Sequence, residues 1–390
     1  MKANPARRTD TIAYMADRAN EGLNNAKANR NDEFYTRYGD VDAELKHYAG
    51  HFTGKTVYCD CDDPFRSNFV KWFVAHFDKL GLERLICSCH DAGMNAYDGN
   101  MTLFDMLSDD GDANRNRGSG KALKAVIRHV PDDAGMASAM ADDAGWDAFM
   151  HALLASDGNE LTALHGNGDF RSDECMALLA DADIVASNPP FSLFSDYITR
   201  IVGADRGFVA LGNMNALTYN TVFPLVFDGK IWLGYHDGNM TFRVPSWYEA
   251  NGEDDRRFRI DGEGRRWRSI GTAAWFTNLE IDKRHDMLAL TASYAGHEDE
   301  YPRFDSYDAI NVNRVADIPA DYDGVMGVPI TFLTKHDPEQ FELVDDRDVM
   351  VMKAGCVHAG GAGVPRVLTG GLSKVNGVRK YARVLIRRKA

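Results

Sequence analysis

Residues 56–87, TVYCDCDDPFRSNFVKWFVAHFDKLGLERLIC, decide the fold class. Thr56-Val57-Tyr58-Cys59 is a short β-branched and apolar run, closed by the acidic turn Asp60-Cys61-Asp62-Asp63-Pro64. Phe65, Phe69, Trp72, Phe73 and Phe77 then recur at i, i+4, i+7, i+8 and i+12, the spacing of one helix face. Leu85-Ile86-Cys87 is the next apolar run. Strand, helix and strand with short connections make a βαβ unit, which implies a parallel sheet with helices packed on it.

The rhythm continues outward. Upstream, Tyr38, Val41, Leu45, Tyr48 and Ala49 have helical spacing. Downstream, strands are expected at Leu161–His165, Asp183–Ser187 and Gly207–Leu211, with helices over Asp173–Leu179 and from Leu193 to Ile201. Lys230–Tyr235 and Met240–Val244, joined around Asp237-Gly238, read as a hairpin. Residues 91–160 are acidic and rich in Gly, Asn and Asp, with short helical patterns at Lys121–Val130 and Trp146–Leu154. They read as an insertion on the sheet edge. Past residue 245 the βαβ rhythm stops, and Arg, Trp and turn residues become frequent. The expected organisation is a flexible lead over 1–30, an α/β domain over 31–245 carrying the insertion, and a separate region over 246–390.

Composition bounds the function. A chain of 390 residues exceeds one typical domain, and 44% hydrophobic residues suffice for a sizeable core. No run approaches the roughly 18 apolar residues of a membrane span, and the polar N-terminus lacks the apolar stretch of a secretory signal. A cytoplasmic location without membrane contact is therefore expected. Cys59 with Cys61 and Cys87 with Cys89 form C-x-C pairs rather than C-x-x-C knuckles. Both pairs read as buried thiols on neighbouring strands, and no metal site is expected.

The net charge of −14 is unevenly spread. Residues 91–183 hold 18 acids against 6 bases, nearly the whole excess. Arg256, Arg257, Arg259, Arg265, Arg266 and Arg268 cluster, followed by Lys283 and Arg284, and a second basic run ends the chain. A sign-separated chain can hold a nucleic-acid backbone on a local basic face; solvated surface charge is the alternative for each cluster.

Ligands of open α/β sheets bind at the carboxyl ends of the strands, and three segments fall there. Asp60 to Asp63 could accept hydrogen bonds from ribose hydroxyls or an amino group but would repel a phosphate. No glycine-rich phosphate loop is present, so a ligand with a cationic centre, an amino acid moiety and a sugar fits better than ATP or NAD. Asp169 and Phe170, in Gly166–Ser172, could receive an adenine amine and ring; alternatively Asp169 or Ser172 simply caps the next helix. Asn188-Pro189-Pro190-Phe191 follows the apolar run Ile184-Val185-Ala186. Asn188 and the Pro189 carbonyl offer two acceptors for an exocyclic amine, the prolines fix φ and remove donors, and Phe191 offers a flat face for a base. An ordinary strand-to-helix turn is the alternative.

These residues carry a family resemblance. An acidic-Pro turn, an Asp-Phe and an Asn-Pro-Pro-Phe at successive strand ends resemble S-adenosylmethionine-dependent amino-methyltransferases. Several segments are similar, more narrowly, to the EcoRI-type adenine-specific DNA methyltransferases. They are residues 32–36, 58–69, 168–172, 188–194, 326–332, 338–341 and 381–387, so the likeness spans about residues 30–390. The resemblance implies a Rossmann-like sheet with helices on both faces and a C-terminal DNA-recognition region. It implies a site-specific enzyme that methylates N6 of an adenine flipped out of duplex DNA. Residue by residue, it implies cofactor contacts from Phe34-Tyr35-Thr36, Asp63-Pro64-Phe65 and Asp169-Phe170, and a catalytic loop of Asn188, Pro189, Pro190 and Phe191. The glycines usual after the Asp-Pro turn are replaced by Arg66, Ser67 and Asn68, which leaves the ribose acceptor open among Asp60, Asp62 and Asp63. An RNA or protein-amide methyltransferase and a non-catalytic scaffold remain as rival readings. A cognate restriction endonuclease, an orphan role and a phage role are alike at this level.

Overall fold

The computed structural model describes residues 34–90, 122–131, 135–246, 248–250, 252, 255–351 and 363–389. The expected lead over 1–30, residues 91–121 of the insertion and Cys356 lie outside them. Strands β1 (Thr56–Cys59), β2 (Arg84–Ser88), β5 (Ile184–Ser187) and β6 (Gly207–Asn213) form a parallel centre in the order β2-β1-β5-β6. Antiparallel β3 (Leu123–Ile127) and then β4 (Glu160–Ala163) extend one side. On the other side lie β9 (Arg266–Thr277) and then β7 (Trp232–Val244), with β8 (Phe258–Ile260) paired to β9. The chain is mixed α/β, with a parallel core and antiparallel flanks.

Side chains alternate along each central strand, so the two faces build separate cores. Val57, Cys59, Leu85, Cys87, Ile184 and Ala186 face one cluster with helices α1 (Tyr38–Leu45), α2 (Asn68–Ala75) and α3 (Asp143–Leu154). Tyr58, Ile86 and Val185 face the other, against α4 (Asp173–Asp181) and α5 (Phe194–Gly203). Each fully buried large side chain contributes about 1.5–3 kcal/mol. The aromatic face read from 65–77 is real, but the helix is shorter. Ser67 starts it by accepting from the Phe69 amide at 3.0 Å, and it ends at His76.

Three expectations are corrected. Lys121–Val130 is not helical: Leu123–Ile127 is β3, antiparallel to β2 and β4, with Ala125, Val126 and Ile127 buried. A seat between two strands overrides a weak helical pattern, so this part of the acidic segment completes the sheet rather than decorating it. The hairpin around Asp237-Gly238 is also absent. β7 is one strand along β9, with register shifts between Leu233 and Asp237 and between Gly238 and Met240. Side chains from elsewhere hold this irregularity. The buried Glu44 carboxylate accepts from the Tyr235 and His236 amides, both at 2.8 Å, while Lys283 donates to the Gly234 and Tyr235 carbonyls at 2.8 and 3.0 Å. Finally, Cys59 and Cys87 are register partners within strands, but Cys61 and Cys89 lie just past the strand ends.

The sheet also takes β9 from beyond residue 245, where the βαβ rhythm stops. Further on, β10 (Ile310–Asn311), β11 (Met326–Pro329), β12 (Phe341–Leu343) and β15 (Arg383–Arg388) form a second sheet, order β10-β11-β15-β12; the short pair β13 (Lys374–Val375) and β14 (Val378–Arg379) stands apart. Ile310, Met326, Val384 and Ile386 share one buried core with Tyr197 and Ile198 of α5, so the second sheet joins the core on that face of the first. No helix among the described residues is long and apolar enough to cross a membrane.

Candidate active site

The chain runs from β1 outward to β2 and later returns to β5 on the other side of β1. Strand order therefore reverses between β1 and β5, which opens a crevice at their carboxyl ends. A cavity of about 430 Å³ lies there. Of the residues singled out from sequence, Phe34, Tyr35, Thr36, Asp60 and Asp63 line it, as do Asp169, Phe170, Asn188 and Pro190. Pro64, Pro189 and Phe191 do not reach its wall.

The acidic turn is built by side chains where glycines would otherwise bend the backbone. Asp63 accepts the Phe65 amide at 2.7 Å, closing a tight turn through Pro64. Asp62 accepts from Ser67 Oγ at 2.5 Å and from Ser187 Oγ at 2.6 Å, and Asp60 accepts from Tyr197 at 2.7 Å. The three residues standing in place of glycines all have work. Arg66 pairs with Asp147, Ser67 caps α2 while holding Asp62, and Asn68 donates to the Thr36 carbonyl at 2.7 Å. Burial pushes Asp60 up to about 7 and Asp62 up to about 6, against the pull of these donors, and burial likewise raises Asp63. Three crowded carboxyls of this kind welcome a cationic ligand centre.

A strap of residues 34–36 closes one side. Tyr35 exchanges backbone hydrogen bonds with Arg243 of β7, at 2.9 and 3.0 Å. The Phe34 carbonyl accepts from Nδ2 of Asn188. This fixes the amide's orientation and leaves Asn188 Oδ1 buried with no partner among the described residues; Thr36 Oγ1 is in the same condition. Buried polar atoms are seldom left unpaired without a reason. The Phe34 ring lies 5.4 Å from that of Phe191, tilted by 35°, and Phe242 meets Phe191 edge-on. One face of Phe191 is thus covered by Phe34.

The opposite wall is the 166–172 turn. Gly168 has φ of +72°, and a Cβ there would stand 2.2 Å from the Cys89 carbonyl oxygen, so the position demands glycine. Ser172 caps α4 by accepting the Cys175 amide at 3.2 Å, so the helix cap is Ser172 and not Asp169. Asp169 is gripped by Arg171 through two hydrogen bonds of 2.8 and 2.6 Å, and these hold its carboxyl below the usual range. Phe170 meets Tyr197 edge-on at 5.3 Å.

The sequence profile described as adenine-specific methyltransferase EcoRI matches residues 22–389. The chain belongs to the EcoRI-type adenine-specific methyltransferase family. It is accordingly an enzyme of DNA adenine methylation. It is 41% identical over 344 residues to the type II methyltransferase M.EcoRI of Escherichia coli, covering 85% of this chain and 93% of that one. It is 32% identical over 376 residues to M.MpnI of Mycoplasma pneumoniae (94% and 98% covered). It is also 32% identical over 375 residues to M.MgeORF184P of Mycoplasma genitalium, with the same coverage. Both are type II methyltransferases by name. No solved structure is significantly similar to the chain.

In this family member the basic cluster forms the β8–β9 ribbon, away from the cavity wall. Part of its charge is spent locally. Arg265 pairs with Asp261 and Glu263, Arg268 pairs with Asp255, and Arg266 donates to the Tyr248 carbonyl. Arg256, Arg257 and Arg259 are exposed, with the Arg259 guanidinium 5.5 Å from the Trp267 ring centroid. Three members of the C-terminal basic run are also engaged: Arg383 is buried against Asn311, while Arg387 and Arg388 pair with Glu342 and Asp323. Sequence reasoning missed Ser67, Asn68, His90 and Ser187 as parts of the site. For Ser67 a signal existed, a serine just ahead of an aromatic helix; Ser187 gave none.

Proposed function

We propose that this enzyme transfers a methyl group from S-adenosylmethionine to N6 of an adenine turned out of duplex DNA, using the β1–β5 crevice. The observation that carries the reading is Asn188 Oδ1, buried and unpartnered at the cavity wall while Nδ2 is occupied by Phe34. An amide held this way presents an acceptor where an exocyclic amine is needed.

The cavity's chemistry suits the cofactor: raised carboxyls for positive charge, the unpartnered Thr36 hydroxyl for a polar group, and Phe170 beside Asp169 for an adenine. When bound, S-adenosylmethionine supplies a methyl group on a positively charged sulfur. Phe34, Tyr35 and Thr36 close over its methionine end. Asp60 and Asp63, with Pro64 shaping the turn, face its sugar and charged portions. Asn188 Oδ1 and the Pro189 carbonyl accept the two N6 hydrogens of the target, which favours a pyramidal nitrogen with its lone pair exposed. As the N–C bond formed, the sulfur–methyl bond would break with its electron pair left on sulfur as a neutral thioether, and one of those amine hydrogens would leave as a proton to solvent. Pro190 stiffens the loop, and holding the reactants in place provides much of the acceleration.

Flipping the adenine costs a few kcal/mol. Stacking on Phe191 returns about 1–3 kcal/mol, once Phe34 gives up the face it covers. Arg256, Arg257 and Arg259, with the neighbouring Arg265, Arg266 and Arg268, approach the DNA backbone. Residues 246–390 supply target recognition, and a restriction endonuclease of the same specificity is the functional partner.

The test is to express the protein and map N6-methyladenine in host DNA, with labelled cofactor offered separately to DNA, RNA and protein. Label in DNA adenine at a fixed sequence supports the reading. Label in RNA or protein, with none in DNA, overturns it.

A further inference from the structure

Asn376 and Gly377 turn the short pair β13–β14 into a two-residue hairpin. Their φ values are +49° and +77°, the two left-handed residues that the tightest β-hairpins require. The hairpin is fastened at its base. The Lys380 amide donates to the Ser373 carbonyl at 3.0 Å, Ser373 Oγ donates to the Lys380 carbonyl at 2.7 Å, and Val375 is buried in one cluster with Phe304 and Leu385. Leu385 belongs to β15, and other residues of β15 share a core with α5, the helix that follows the catalytic loop. The hairpin is therefore a stiff projection, tied through packed side chains to the elements around Asn188.

Its charge is unusual for this chain. Residues 349–390 hold nine Lys and Arg and no Asp or Glu, although the whole chain carries a net charge of −14. Arg366, Arg387 and Arg388 of this run pair with Asp346, Glu342 and Asp323, and Arg383 is buried against Asn311. Lys374, Arg379 and Lys380 have no ion pair among the described residues. Asp305 is bonded to the hairpin, but its carboxylate accepts the Gly377 amide at 2.9 Å and none of the three cations. Lys374 and Arg379 are moreover cross-strand partners. Directly opposed residues hold their Cβ atoms about 4.5–5.5 Å apart, and like charges so placed are destabilising. Beside them, Val378 and Tyr381 are 61% and 66% exposed. Opposed like charges next to uncovered apolar side chains suit an anionic partner that also offers apolar surface. Duplex DNA is such a partner, and a two-stranded β-ribbon is of a size to enter its major groove, about 12 Å wide.

We propose that the β13–β14 hairpin enters the major groove of the substrate duplex and reads part of the target sequence. It rests on the duplex-DNA reading above and gives the recognition assigned to residues 246–390 a definite element. Lys374 and Lys380, half-buried at the base of the hairpin, take phosphates at the rims of the groove. Arg379, exposed beside the turn, reaches the base edges, where a guanidinium can fork onto O6 and N7 of a guanine. Val378 meets apolar base surface such as a thymine methyl, and Tyr381 lies against the sugar backbone. The negative potential of the duplex relieves the repulsion between Lys374 and Arg379.

The full chain is tested as wild type, Lys374→Gln, Lys380→Gln, Arg379→Gln and Val378→Ser. Duplex binding is measured against salt concentration, and N6-methyladenine is mapped in the DNA of expressing cells. Cofactor calorimetry, melting temperature and sedimentation are the controls. Lys374→Gln and Lys380→Gln should each lower the log–log salt slope by about one and weaken binding alike on every sequence. Arg379→Gln should bring methylation at sites one base pair away from the wild-type target, cutting the preference for the proper site by roughly ten- to a hundredfold. Lys374→Gln should also hold or raise the melting temperature, because it removes a like-charge contact. Val378→Ser should weaken duplex binding with the salt slope unchanged. Wild-type slopes and an unchanged methylation map in every variant overturn the hairpin's role while the enzyme still methylates its site. Loss of DNA binding that tracks loss of melting temperature and cofactor affinity overturns it as well. So does dissociation of a dimer in Val378→Ser with duplex binding unchanged, which would make the patch a contact between two copies. A wild type that labels RNA or protein and no DNA removes the parent reading first.

Discussion

The Ser187 hydroxyl donates to Asp62 across 2.6 Å, tying the last residue of β5 to the acidic turn after β1. The same oxygen accepts the Cys61 amide at 3.2 Å. The acidic turn and the catalytic loop thus move as one piece, since Asn188 is the next residue. Ser187→Ala should raise the cofactor Kd by the worth of a hydrogen bond to a charged group, about 1.5–3 kcal/mol. Ser187→Thr should restore most of it. Calorimetry of cofactor binding checks both, and equal affinities in all three proteins would remove Ser187 from the site.

The raised carboxyls predict a pH dependence with a definite sign. Free aspartate titrates near 3.9, whereas Asp60 and Asp62 titrate at about 7 and about 6 in the fold. Their contribution to stability is fully present below the unfolded value and is lost progressively as pH rises from about 4 through the folded values of about 6 and about 7. The free protein should therefore lose melting temperature across that interval, and Asp60→Asn should flatten the loss. A cationic ligand favours the ionised form, so cofactor affinity should rise over the same interval with release of protons. Calorimetry in buffers of different ionisation enthalpy measures that release.

Asn188→Ala should abolish methyl transfer while cofactor affinity stays near that of wild type, because the acidic turn and its donors are untouched. Single-turnover assays with labelled cofactor read the first quantity and calorimetry the second. Asn188→Asp retains acceptor oxygens but cannot donate to the Phe34 carbonyl. In that variant the Tyr35 amide should exchange faster with deuterium, reporting a loosened strap.

Phe34 and the incoming base compete for one face of Phe191. Phe34→Ala should therefore increase the fluorescence of 2-aminopurine placed at the target position, as the base leaves the stack more often. Phe191→Ala should decrease binding of the same duplex, and Phe191→Trp should retain it. No change of fluorescence in Phe34→Ala would show that the base enters by another side.

Short apolar runs made β1, β2, β5 and β6 legible, because a fully buried strand needs little more than Val, Ile, Leu and Cys in a row. The strand ends then pointed to Asp60–Asp63, Asp169 and Asn188, and the cavity brings those together. What failed depended on distant partners. Asp237-Gly238 has the look of a hairpin turn, yet Glu44 and Lys283 satisfy the adjoining backbone instead. Leu123–Ile127 became a strand because β2 and β4 were there to flank it. The arginines of 256–268 were visible as charge, but Asp261 pairs with Arg265 four residues on and Asp255 with Arg268 across the β8–β9 ribbon.

β9 is made after β7 but lies inside it, between β7 and β6. During synthesis β6 keeps an open edge until the chain has passed Thr277, and open edges invite pairing with the wrong partner. Phe242, which braces Phe191, sits on the outer strand and can take its post only when that later strand has slipped into place. The catalytic loop is therefore the last stone of the arch. A gene divided at codon 245 would yield two pieces that recover an active enzyme only by exchanging a strand.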